Sequence, residues 1–251
     1  MRKCSAGFLA GWVFLFPWLS VVQAAELQVI AGGGIAAPLT EIVAQFERAS
    51  GHKVVVRYGT APELIKMATS SNLIDVAVVP QDVLKDAAAR ARFTPELPRA
   101  VARVGIGIAV RKGAAKPDIS TPGALKDTLL AVNSIASIPA SATGTQLAGV
   151  YERLGITEEM KAKTKPQPSP AKVVEAVAKG EAQLAIFGVN ILMDPRLDLV
   201  GPLPAELQRE VVYAAAIASN SKAPEAATAF VTYLFSPPAV AVFKAKGMSP
   251  G

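Results

Sequence analysis

The 251-residue chain holds one cysteine, Cys4, and one histidine, His52. Cys4 lies in an N-terminal segment that reads as a removable export signal, so the mature chain has no thiol, no disulfide and no cysteine metal ligand. A lone histidine leaves zinc sites and Ser–His or Cys–His nucleophilic catalysis almost no residues to draw on. The expectation is therefore no metal and no cofactor. Aromatic residues make up only 6% of the chain and are not interleaved with basic ones, which excludes a nucleic-acid surface. Runs of one charge are absent too. Lys161, Lys163 and Lys165 come nearest and read as a solvated helix end and loop.

What is present begins with the export signal. Arg2 and Lys3 precede an uncharged apolar run over 6–22, and Val22-Gln23-Ala24 supplies a small-x-small cleavage site. The run is shorter than the ~20 apolar residues a membrane span needs, and Ala25 stands where a lipoprotein would carry cysteine. The expected product is a periplasmic chain starting at Ala25. Without Arg2 and Lys3, 24 basic residues face 20 acidic ones, a weak positive field that favours anionic partners.

Beyond residue 24 the pattern alternates strand and helix, which predicts an α/β fold with mostly parallel sheets flanked by helices. Strands are expected at 27–31, 53–58, 74–79, 102–111, 134–138, 182–189 and 210–218. Helices are expected between the glycines after the first strand and Gly51, at 62–69, at 81–91, from an opening at Ser120-Thr121-Pro122, and at 146–154, 172–179, 225–235 and 239–246, with a loop at 139–145 and a Pro-rich connector at 199–204. In the first helix Leu39, Ile42, Val43 and Phe46 recur at helical spacing and Gly51 ends it. The strands at 102–111 and 210–218 suit two crossings between lobes. The expected division is a signal at 1–24, one lobe from 25–103 with 206–251, and a second lobe from 104–205. A cleft between two such lobes is a usual place for a small ligand.

Several residues carry candidate chemistry. Gly32-Gly33-Gly34 lacks both GxGxxG spacing and the Lys-Ser/Thr of a P-loop, and reads as a tight turn that also lets an anion approach bare backbone. Thr60 suits a helix cap or a ligand hydroxyl. Ser141, Thr143 and Thr145 cluster beside Gly144, and Asn190 follows the late strand. Arg57 and Lys66 read as surface residues, His52 as a solvated cap, and Tyr58 and Tyr151 as packing residues.

The segments AGGGIAAPLTEIVAQFERASGHKV, GTAPELIKM, IDVAVVP, SIPASATGT, YERLGI and KGEAQLAIFG lie in this order along the chain. In that order they resemble the periplasmic molybdate-binding proteins, within the type II solute-binding proteins of ABC importers. The resemblance implies a two-lobed monomer that captures a small anion and delivers it to importer membrane subunits. It implies an oxyanion held by hydroxyls and helix-start N–H groups, which carry unpaired donors and partial positive charge. By position it assigns Gly34, Ile35, Thr60, Ala61, Ser141, Ala142, Thr143, Ala171 and Gly188 to the ligand site, with Asn190 beside them. Where this family has a serine at the first helix start the chain has Gly34. Where it has a tyrosine ending the late strand, the chain has Gly188. Both losses remove a hydroxyl and are expected to enlarge the cavity, favouring a di- or tricarboxylate over molybdate or tungstate. Periplasmic aconitate isomerase resembles the same group, so a cofactor-free proton shift is the alternative activity.

Overall fold

The computed structural model describes residues 24–70, 73–96 and 98–251. Residues 1–23, which carry most of the expected export signal, lie outside the described residues. Strand β1 (Glu26–Gly32) pairs in parallel with β2 (Lys53–Gly59) and β3 (Val76–Pro80). Helix α1 (Ala36–Ser50) packs Leu39, Ile42 and Phe46 on this layer and ends at Gly51, whose φ of 76° closes the helix. That left-handed cap is open to glycine at little steric cost. Helix α2 (Ala61–Ser70) covers the opposite face with Leu64 and Ala68.

Two long strands cross the molecule. β4 (Arg99–Arg111) and β9 (Glu210–Ile217) run antiparallel, and β9 also pairs antiparallel with β3. Beyond Gly105 strand β4 changes partner. From Ile106 to Ala109 it pairs with β7 (Leu184–Gly188), which lies parallel to β5 (Ile135–Ser137). β6 (Thr164–Pro166) is the far edge, giving the order β2-β1-β3-β9-β4-β7-β5-β6. β8 (Leu197–Pro202) and β10 (Ser249–Pro250) add to β4 off this path. The curled sheet with helices on both faces is a mixed α/β architecture.

Burial follows the change of partner. Val101, Ala102 and Val104 share a core with Phe46, Phe230 and Phe243, whereas Ile106, Ile108 and Val110 join Leu125, Leu147 and Met160. At the junction the Gln208 amide closes both bonds to Ile106: its Nε2 donates to the carbonyl at 3.0 Å and its Oε1 accepts from the N–H at 3.0 Å. This clamp adds to the β4–β9 ladder over Arg99–Gly105 and bolts the two crossings where β4 changes partner.

Several elements differ from expectation. The helix expected at 81–91 is a 3₁₀ turn at Gln81–Lys85 and a short α3 (Ala87–Arg90), because Asp86 is extended and its carboxylate caps Ala89 N–H at 2.9 Å. α4 (Pro122–Ala131) starts as read, under a Thr121 cap. α5 (Ala142–Leu154) begins inside the expected 139–145 loop, since Ser141 Oγ accepts from Gly144 N–H at 3.0 Å. α6 (Thr157–Lys163) follows, taking in Lys161 and Lys163. α7 (Pro170–Ala178) starts at its proline under a Ser169 cap. The 199–204 connector is largely strand β8, with Pro202 at its end, where a missing N–H costs least. α8 (Val189–Leu192) directly follows β7, so Asn190 is helical rather than a turn residue. α9 (Pro224–Tyr233) and α10 (Pro237–Ala245) close the chain, with Pro237-Pro238 opening α10.

Candidate functional site

Several helix starts meet one cavity of about 780 Å³. Gly33 and Gly34 line it where β1 turns into α1, Thr60 at the start of α2, Ser141 at the start of α5, and Ser169 and Ala171 at the start of α7. The first N–H groups of a helix have no partner within it and carry partial positive charge, so the convergence makes a site for anionic oxygens. The size lies within the 300–1,000 Å³ range usual for small-molecule sites.

Of the expected site residues, Gly34, Thr60, Ser141, Ala171 and Asn190 stand in the cavity wall, while Ile35, Ala61, Ala142, Thr143 and Gly188 do not. Ile35 is fully buried, and Ala142 and Thr143 face inward from the first turn of α5. Gly188 is buried at the end of β7.

The hydroxyls of Thr60 and Ser141 are already engaged. Thr60 Oγ1 donates to Glu63 Oε2 at 2.8 Å, and the same oxygen accepts Thr60 N–H at 2.7 Å. This is the carboxylate half of a capping box, legible as Thr-x-x-Glu. It holds the Glu63 carboxyl below its usual pKa, the backbone bond contributing most. Ser141 Oγ donates to the Ile138 carbonyl at 2.7 Å. Each must rotate before donating to a ligand.

The two glycines that replace family side chains do not leave empty space. A Cβ on Gly34 would collide with the hydroxyl of Tyr213, which reaches over from β9. A Cβ on Gly188 would fall 2.7 Å from Asn190 Oδ1. Asn190 Nδ2 in turn donates to the Gly34 carbonyl at 2.7 Å, joining α8 to the start of α1, while its Oδ1 is buried without a partner. The expected enlargement is thus corrected at both positions: polar groups from Tyr213 and Asn190 fill them. Burial alone pushes the Tyr213 phenol well above its ordinary pKa, so it stays protonated.

Sequence reading missed the charged groups of the cavity. Glu63, Asp194, Arg196 and Lys246 all line it. Arg196 forks onto Asp194 through Nε and Nη2, both at 2.9 Å, which lowers the Asp194 pKa. Lys246 pairs with Glu41 at 3.3 Å. Tyr58 also lines the wall, its hydroxyl 3.2 Å from Thr40 Oγ1; burial raises its pKa and that bond partly offsets the rise. Tyr151 lies outside this cavity. His52 is spent on structure, its Nδ1 accepting Ala25 N–H at 3.1 Å and its ring stacked on Phe46. Among the described residues no group of three or more His, Cys, Asp or Glu could hold a metal.

A curled α/β sheet bridged by two crossings, with helix starts converging on a cavity, is the architecture of a type II periplasmic binding protein. The family model for bacterial extracellular solute-binding proteins matches residues 27–249, and the chain belongs to that family. An aconitate isomerase from a Pseudomonas species is 31% identical over 241 residues, spanning 93% of this chain and 91% of the relative. The molybdate-binding protein ModA of Azotobacter vinelandii is 29% identical over 236 residues, covering 90% of each chain. Among solved structures, the periplasmic molybdate-binding protein of A. vinelandii superposes with a TM-score of 0.74 at 19% identity, over 90% of this chain and 99% of the other. The sulfate-binding protein SubI of Mycobacterium tuberculosis H37Rv gives 0.71 at 14% identity, over 90% and 87%. These likenesses define a solute-binding fold of an extracytoplasmic family.

Proposed function

We propose that the chain captures a small di- or tricarboxylate between lobes formed by 25–103 with 206–251 and by 104–205, and presents it to an ABC importer. The observation that carries this reading is the cavity itself. At about 780 Å³ it far exceeds what a five-atom tetrahedral oxyanion fills, and Arg196 and Lys246 line it together with the helix starts. Helix-start N–H groups around Gly34, Thr60, Ser141 and Ala171 suit one carboxylate. The test is a thermal-shift screen of the mature protein against molybdate, sulfate, succinate, citrate, tricarballylate and both aconitates. Stabilisation by the carboxylates and not by molybdate or sulfate is expected. A response to molybdate alone would sink the reading.

The identity shared with an aconitate isomerase supports a second reading, in which a bound aconitate loses a methylene proton and regains one at the other end of the allylic system. The carboxylates in the wall are poor bases for this step. Glu63 and Asp194 are both held at lowered pKa by the donors they accept from, and an efficient base has a pKa near the working pH. That balance favours capture. Incubation with cis-aconitate and a chelator, followed by chromatographic separation of the isomers, decides it: accumulation of trans-aconitate above the no-protein control establishes the isomerase.

A further inference from the structure

Asp194, Arg196 and Lys246 line the same cavity as the helix starts, and none of them has a counterpart among the positions the family resemblance assigns. Arg196 follows α8 and Lys246 follows α10, and both line the cavity. Their elements touch. Gly247, at φ 74°, approaches so closely that a Cβ there would lie 3.6 Å from the Asn190 Cα and would collide with the Met193 sulfur.

We infer that Arg196 and Lys246 form an anion subsite that reads a second carboxylate, making the cleft selective for acids with two charged ends. The inference rests on the carboxylate-capture reading and deepens it. Asp194 holds the guanidinium through only two of its five donors, so the remaining donors are free of that pair and the group is already oriented. Lys246 is bound more loosely: it and Glu41 are 44% and 47% exposed in their side chains, and such exposed pairs contribute little. Its ammonium can leave Glu41 for a ligand at small cost. A ligand with one charged end would meet the helix starts and leave this subsite empty, whereas a rigid tricarboxylate would engage both.

The experiment is calorimetry with tricarballylate and molybdate as probes on wild type, Lys246→Met, Arg196→Met and Lys246→Arg. The methionines keep an apolar stem at exposed positions, so folding is spared. Loss of one charge-assisted hydrogen bond predicts about a tenfold weaker tricarballylate complex in each methionine variant, with Lys246→Arg close to wild type. Any molybdate affinity present in wild type should be unchanged in all variants. Wild-type tricarballylate affinity in both methionine variants overturns the subsite while leaving carboxylate capture standing. Equal losses for both probes overturn it as well, since a general disturbance of the cleft would explain them. If wild type binds none of tricarballylate, citrate, succinate or the aconitates, the capture reading fails and the subsite falls with it.

Discussion

Position 34 illustrates how a residue's meaning depends on a neighbour distant in sequence. Read alone, glycine there is a missing hydroxyl. In the folded chain it is the residue that makes room for Tyr213, whose hydroxyl holds the space a side chain would need. Gly34→Ser in the wild-type background should therefore overpack the cleft floor and cost about 1–3 kcal/mol, the usual range for inserting atoms into a packed region. Combining it with Tyr213→Phe should recover much of the loss, because the colliding oxygen is gone. Urea unfolding of the two single variants and the double measures this coupling, and additive losses would mean the two residues do not compete for space. None of this was legible in the sequence, since no local pattern links a glycine after β1 to a tyrosine on β9. Thr60 is legible as a cap residue because capping is a local event, whereas Ser141 reads as part of a loop. Their commitment to Glu63 and Ile138 is equally local, and Thr-x-x-Glu is the signal that announces the first.

At the scale of elements, what could be read was whatever short-range chemistry decides. The apolar spacing of α1 and its glycine cap are set within fifteen residues, so the helix and its end at Gly51 could be read. The start of α5 was placed late because a run of Ser, Thr and Gly suggests a loop, yet Ser141 three residues before Gly144 caps the helix earlier. β8 was hidden because its pairing with β4 is a tertiary choice that prolines seemed to forbid. The capping box of α2 makes a pH-dependent element. Glu63 has a lowered pKa in the folded chain, so its contribution to holding the α2 start is complete above its unfolded pKa and is lost as pH falls through the folded one. NMR titration should show Glu63 protonating below the ordinary glutamate range. Thr60→Val removes the hydroxyl donor but keeps the backbone N–H, so it should move that titration part of the way upward. No movement would mean the hydroxyl is not bonded to Glu63 in solution.

For the whole molecule, the cavity is lined by residues from 33–63, 138–196 and 245–246, and Asn190 ties two of these stretches together through the Gly34 carbonyl. A ligand that bridges the helix starts and the charged groups should draw those stretches together. Saturating tricarballylate is accordingly expected to lower the radius of gyration in small-angle scattering. Asn190→Ala, which deletes the bond to Gly34, should raise it in the absence of ligand. An unchanged value in both experiments would mean that the cleft is static.

The bolt between the crossings sets how such motion is shared out. Strand β4 keeps its ladder to β9 up to Gly105 and its ladder to β7 from Ile106 onward, and Gln208 clamps Ile106 from the side. Turning one half against the other requires no pair in either ladder to part, only a change of twist at the junction. Deuterium uptake should record this as a contrast: amides of β4 on both sides of the junction stay slow whether the cleft is filled or empty, while those of α8 and of the turn at Gly33–Ile35 speed up when the ligand leaves. The part of the chain that moves the least would then be the axle on which the rest turns.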